Sequence, residues 1–126
     1  SFNNGDYIFM QDDKPTALYV IKFGSVRVSQ KAHDGDSIEV GKLGTGAHFG
    51  EMSFIDGLGH AATTMALEHT EIIKIDYASL QNFLLEHPIV AMKFYRSLAH
   101  FLCGRLRVTT MDLGFARERN SAHPKL

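Results

Sequence analysis

The order of patterns along the chain predicts a mainly β domain closed by C-terminal helices. Between Gly5 and Ile75, short β-prone runs alternate with clusters of glycine and aspartate, the spacing expected of a sandwich or barrel rather than of a helical bundle. At Asp76 the regime changes to helical spacing, and Pro88 opens a second, longer helical segment. β first and α afterwards is therefore the architecture to expect.

The strands fall at Tyr7–Met10, Ala17–Phe23, Val26–Gln30, Ile38–Leu43 and Glu71–Ile75, where β-branched and aromatic residues concentrate. Asp12-Asp13-Lys14-Pro15, Phe23-Gly24-Ser25, His33-Asp34-Gly35-Asp36 and Gly44-Thr45-Gly46 supply the reversals between them. Asp76 is placed to cap a helix over Tyr77–Glu86, and Pro88 to start one running from about Ile89 towards Leu113 or beyond. On this second helix Met92, Tyr95, Leu98, Leu102, Leu106 and Thr109 recur at three- and four-residue steps, a side expected to pack on the β domain. Phe94, Phe101, Val108 and Phe115 recur every seven residues and form a second stripe able to meet another helix in a homodimer. Ser97 and Gly104 interrupt a strict coiled coil, so one wide apolar face accounts for the same residues.

With 126 residues, of which 44% are hydrophobic, the chain is read as a single globular domain over 1–126, with strands over about 5–76 and helices over about 77–120. Its 13 basic and 14 acidic residues leave a formal charge of -1, which gives no electrostatic case for nucleic acid or an anionic membrane. Cys103 is the single cysteine, so an intramolecular disulfide is excluded and a reducing, cytoplasmic setting is expected. No apolar run has the length of a membrane span. A start on Ser1 leading directly into a turn creates the expectation of a domain cut from a longer protein.

The most informative stretch is Phe49-Gly50-Glu51-Met52-Ser53-Phe54-Ile55, followed by Gly59-His60-Ala61-Ala62-Thr63. A glycine before a helical turn lets backbone N–H groups of Gly50, Glu51 and Met52 approach an anion. A carboxylate there would be repelled by that anion, so Glu51 is suited to accept hydrogen bonds from a neutral part of the same ligand, such as a ribose hydroxyl. The stretch resembles the phosphate-binding cassette of cyclic nucleotide-binding domains, which reads roughly F-G-E-aliphatic-A-L-aliphatic and then P-R-x-A. Gly5-Asp6-Tyr7-Ile8-Phe9, Leu18-Tyr19-Val20-Ile21, Gly24-Ser25-Val26-Arg27-Val28 and the His87-Pro88 junction extend the resemblance over nearly the whole chain. The fold it implies is a β-roll (a double-stranded β-helix or jelly roll) with a short cassette helix and a long C-terminal helix. Asp12 stands where the family usually has glycine, and the helix expected before the first strand is missing.

The main departure is Gly59-His60 in place of proline and arginine, the arginine being the family's grip on the cyclic phosphate. Carried over residue by residue, the resemblance implies a ligand site of Phe49, Gly50, Glu51, Met52, His60 and Ala61, with Arg105 and Leu106 covering the base. Ala61 lacks the hydroxyl with which some members favour guanine, which favours cyclic AMP over cyclic GMP, although Thr63 lies nearby. A histidine offers fewer donors than a guanidinium and is only partly charged near neutrality. His60 is thus either a weak substitute or an exposed loop residue in a pocket that has lost its ligand.

The resemblance implies a noncatalytic sensor, without cofactor, whose effector domain lies outside this chain. The alternative is a degenerate regulatory or oligomerisation module. A cupin-like metal enzyme is a distant third: His48 and Glu51 are close in sequence, but no His-x-His pair, His-Glu-x-x-His helix or cysteine pair completes a site. Cys103 sits between Leu102 and Gly104 with no oriented base evident, and is read as a buried small apolar helix residue. Arg105, Arg107, Arg117 and Arg119 make the end locally basic, yet Gly114–Leu126 is too short for a three-helix DNA-binding unit, and no specific DNA binding is expected.

Overall fold

The computed structural model describes residues 1–122, with side chains of Thr109 and of residues 112–122 left aside. Its elements are β1 (Tyr7–Phe9), β2 (Ala17–Phe23), β3 (Ser25–Lys31), β4 (Ser37–Gly44), β5 (His48–Phe49), α1 (Glu51–Asp56), β6 (Thr63–Ala66), β7 (Glu71–Asp76), α2 (Tyr77–Glu86) and α3 (Pro88–Ala122). Two compact units result, Ser1–Phe83 and Leu84–Leu126.

In the first unit, antiparallel strands form a sheet ordered β1-β6-β3-β4 and another ordered β5-β2-β7. This is the mainly β architecture expected. Its core is Ala17, Tyr19, Ile21, Val26 and Phe49, with Ile8, Phe9, Leu43, Ala47 and Ile72 packed around them. Aromatic stacking organises this core: Tyr19 and Phe49 lie 5.2 Å apart at 15°, and Phe9 contacts both at 5.6 and 5.7 Å. Burying side chains of this size contributes about 1.5–3 kcal/mol each, which makes them the main stabilising term of a small unit.

The chain passes between the two sheets five times, and one glycine makes the β2–β3 crossing possible. Gly24, at φ +112°, is the only residue between β2 and β3, and a Cβ there would stand 2.5 Å from Thr70 Oγ1 and 2.7 Å from its Cα. Thr70 lies in the return crossing from β6 to β7 and is fully buried. Its hydroxyl accepts from the Ser25 N–H at 3.3 Å and lies 3.1 and 2.9 Å from the carbonyls of Ser25 and Glu68. The two crossings are thereby pinned to each other.

Several expectations need correction. His48–Phe49 and Thr63–Ala66 are strands that the residue pattern did not mark, and β6 is central, pairing with both β1 and β3. Its four residues are too short to show a clear alternation. On α3, Leu98 is buried, but Met92, Tyr95 and Leu106 of the same expected packing side are 64%, 44% and 66% exposed. Apolar groups spread around the whole circumference of a helix leave most of them in solvent. Of the heptad stripe, Phe94 and Phe101 are half-buried and Val108 is exposed, while Phe115 and Thr109 lie outside the described side chains. Cys103 is exposed, not buried. Among the described residues, no helix is long and apolar enough to cross a membrane.

Candidate functional site

The site is built on three chain segments of the first unit: the turn Phe49–Asp56, the loop Gly59–Thr63, and the β1–β2 loop around Asp12 and Asp13. Gly50 precedes α1 in the left-handed region, φ 89° and ψ 1°. A Cβ at Gly50 would lie 3.0 Å from the Ala17 carbonyl oxygen and 3.3 Å from Tyr19 Cδ2, so both the dihedral and the close approach require glycine. The helix is short because Gly57, again left-handed, ends it by donating its N–H to the Ser53 carbonyl.

Glu51 begins this helix only 2% exposed. A buried carboxylate needs polar company, and His48 provides some of it, its Nδ1 lying 3.6 Å from Glu51 Oε2. Tyr77, at the start of α2, donates its hydroxyl to the Gly50 carbonyl and sets its ring 5.1 Å from Phe54. Burial, then the nearby Tyr19 and Glu51, push the Tyr77 hydroxyl up to about 12, so it remains a donor throughout the physiological range. Its backbone N–H donates to the Thr16 carbonyl at 2.9 Å, joining α2, the residue before β2 and the glycine turn at one residue. Met52, by contrast, is half exposed.

The second half of the motif is held as firmly. His60 donates its N–H to the Asp13 carbonyl at 3.2 Å, and its own carbonyl accepts from the Asp12 N–H at 2.9 Å. Asp12 has φ +71°, so the position where the family usually carries glycine does adopt the conformation glycine favours. Gln11 donates its N–H to the Thr63 hydroxyl at 2.8 Å, and the Gln30 amide donates to the Ala61 carbonyl at 3.1 Å. His60 itself is not an exposed loop residue. It is 4% exposed and stacks flat on Phe9, centroids 3.6 Å apart and planes 5° apart. Burial lowers its pKa, partly opposed by Asp13, and so favours the neutral ring.

Of the residues singled out from sequence, Gly50, Glu51 and Met52 open one turn, while His60 and Ala61 lie on the loop that closes the motif. Phe49 is 6% exposed and its side chain lies within the aromatic core, directly before the turn. Arg105 and Leu106 belong to the second unit, where the Arg105 guanidinium lies 5.5 Å from the centre of the Phe101 ring. Sequence reasoning missed Gln30, Phe9 and Tyr77. Only Tyr77 carried a signal, as an aromatic immediately after a strand and at the head of a helix. Gln30 also has an apolar neighbour: Ile38 faces it across the β3–β4 pair and is 52% exposed, next to the bulged and 54% exposed Val40. Among the described residues, no three His, Cys, Asp or Glu side chains come together in a way that would hold a metal ion.

The cyclic nucleotide-binding domain family matches residues 1–87. The cyclic AMP receptor protein of Thermus thermophilus is 34% identical over 125 residues, covering 94% of this chain and 55% of that protein. Cyclic GMP-binding protein C of Dictyostelium discoideum is 32% identical over 121 residues, 96% of this chain but 4% of that protein. The chain thus spans about half of one relative and a small fraction of the other. Among solved structures, the Thermus thermophilus catabolite activator protein superposes with a TM-score of 0.79 at 31% identity, over 92% of this chain and 53% of that one. On the family match, the sequence identity and the shared β-roll, this chain belongs to the cyclic nucleotide-binding domain family.

Proposed function

We propose that this chain is a noncatalytic regulatory sensor domain that binds a cyclic nucleotide weakly, cyclic AMP in preference to cyclic GMP, and signals through its C-terminal helix. The observation that carries this reading is the buried Glu51 directly after Gly50, a carboxylate of the kind that accepts hydrogen bonds from ribose hydroxyls. Backbone N–H groups of the same turn would meet the phosphate, His60 would replace the missing arginine only weakly, and Arg105 and Leu106 would cover the base. The preference for adenine rests on Ala61, which has no hydroxyl, and on Thr63, whose hydroxyl is already engaged by Gln11. Loss of a charge-assisted contact costs about 1.5–3 kcal/mol, or roughly ten- to a hundredfold in affinity, which is the reason to expect weak binding.

The burial of His60 favours a second reading, a regulatory or oligomerisation module that binds no nucleotide. Calorimetric titration with cyclic AMP and cyclic GMP at pH 6 and pH 8 separates the two. Saturable binding, tighter for cyclic AMP, supports the sensor. Silence from the wild type together with binding by His60→Arg identifies an intact but disabled pocket, and silence from both supports the second reading. Since burial depresses protonation of His60, a gain in affinity on acidification would set in below the ordinary histidine range.

A homodimer through the Phe94, Phe101 and Val108 stripe is part of this proposal, and a monomer at high concentration in sedimentation equilibrium would remove it. A cytoplasmic setting rests on the free Cys103, and the effector of the parent protein is proposed to lie outside this chain, with no specific DNA binding by the chain itself.

A further inference from the structure

We infer that this site recognises the nucleoside part of its ligand and gains little from the phosphate, so that an uncharged nucleoside such as adenosine binds about as well as its cyclic nucleotide. The inference rests on the sensor reading above and concerns what the pocket selects for. Its basis is the charge arrangement around the glycine turn. The carboxylates there are Glu51, which is buried, Asp56 at the end of α1, and Asp13 beside His60. Beyond what backbone N–H groups supply, tight anion binding draws on an opposing permanent charge. Arg27 is the only arginine between Ser1 and Phe83, and although it lines a cavity with Gln30 and Thr63 it is already paired with Glu39 at 3.4 Å. Lys14, next to Asp13, is solvent-exposed, where its charge is screened.

The histidines do not fill the gap. His48 is drawn to Glu51 at 3.6 Å, and His60 is locked flat against Phe9 with both of its backbone polar groups tied to Asp12 and Asp13. Reaching a phosphate would require His60 to leave that stack. Burial further disfavours the charged imidazolium that an anion would need. The helix α1 has six residues, too few aligned peptides to replace a guanidinium.

A nucleoside meets none of these obstacles. Its hydroxyls can donate to Glu51, and its base finds apolar surface in Ile38 and Val40, which are exposed on the strand facing Gln30. Three carboxylates near an uncharged ribose cost little, whereas near a phosphate they repel it.

The test is calorimetric titration of the wild type with adenosine, guanosine, cyclic AMP and cyclic GMP at pH 8, at low and at physiological salt. Adenosine is expected within tenfold of cyclic AMP, with an affinity for cyclic AMP that changes little with salt. His60→Arg is expected to restore a preference for cyclic AMP over adenosine of tenfold or more. The wild-type comparison stands even where the variant folds poorly. Cyclic AMP binding tenfold or more tighter than adenosine in the wild type overturns this inference and leaves the sensor reading intact. Absence of binding by every ligand to both proteins overturns the two together, and binding of cyclic AMP by His60→Arg alone overturns this inference while identifying a disabled pocket.

Discussion

Replacing Gly50 by alanine tests the geometry on which the site depends. A non-glycine residue at φ 89° costs about 1–2 kcal/mol from the clash of Cβ with its own backbone. The new methyl would also meet the Ala17 carbonyl at 3.0 Å and Tyr19 Cδ2 at 3.3 Å. Neither neighbour can give easily, because Ala17 and Tyr19 are core residues of the central strand β2. Overpacking of this kind costs about 1–3 kcal/mol, which brings the expected loss to roughly 2–5 kcal/mol. Gly46→Ala is the control: its φ is 87°, yet nothing lies within 4 Å of the added methyl, so only the conformational cost of about 1–2 kcal/mol applies. Urea unfolding followed by circular dichroism measures both, and an unchanged m-value certifies that stability is being compared. At about 4 °C per kcal/mol, Gly50→Ala should melt roughly 8–20 °C below the wild type and Gly46→Ala roughly 4–8 °C below it. Equal losses in the two variants would refute the close approach of Gly50 to β2, and with it the placement of Glu51.

Tyr77→Phe removes the hydroxyl that the Gly50 carbonyl accepts from and keeps the ring against Phe54. It should cost about 1–3 kcal/mol and speed amide hydrogen exchange at Glu51–Ser53, whereas unchanged exchange would mean that the bond does not hold the turn. For His60, a pKa lowered in the folded state means that the unfolded chain binds the proton first as pH falls. The stability it contributes is therefore present above the unfolded value of about 6.5 and is lost as pH drops below it, at no more than about 1.4 kcal/mol per pH unit. Wild type and His60→Gln unfolded in urea between pH 7.5 and 5.5 should converge in stability towards acid, and parallel curves would contradict the burial of a neutral ring. Gly24→Ala places a methyl 2.5–2.8 Å from three Thr70 atoms, one of them backbone. It should destabilise the protein by more than Gly50→Ala, since the loss of either sheet crossing disrupts both sheets, and a thermal scan ranks the two.

What could be read from sequence was whatever chemistry is local. Asp76-Tyr77 and His87-Pro88 mark both helix starts because a chain reversal and a proline act within a turn of where they stand, and α2 occupies Tyr77–Glu86 as expected. The strands β2 and β3 were visible through their β-branched and aromatic runs, and the glycine turn through Gly50-Glu51. Residues whose role depends on distant partners were not legible. Whether His60 was exposed or buried is decided by Phe9 on another strand, and the anchoring of Ala61 by an amide on β3. The two-residue β5 pairs only with Tyr19 and Val20, and no pattern internal to His48-Phe49 announces it.

On the proposed reading, in which His60 replaces the family's arginine, the exchange has a consequence for the unliganded protein as well as for the ligand. A guanidinium remains charged at any accessible pH, and burying it at 4% exposure against Phe9 without an anion would carry a desolvation cost of several kcal/mol. An imidazole escapes that cost by staying neutral, and its flat ring then adds to the aromatic cluster of Phe9, Tyr19 and Phe49. His60 thus exchanges a charge whose burial depends on an anion for packing that needs none. Beside that packing, the β1–β2 loop and the Gly59–Thr63 loop are tied together by backbone bonds of Asp12 and Asp13 with His60 and by Gln11 with Thr63. The Gly50 turn that carries Glu51 and the loop that carries His60 are thus held by packing and by backbone bonds that need no ligand.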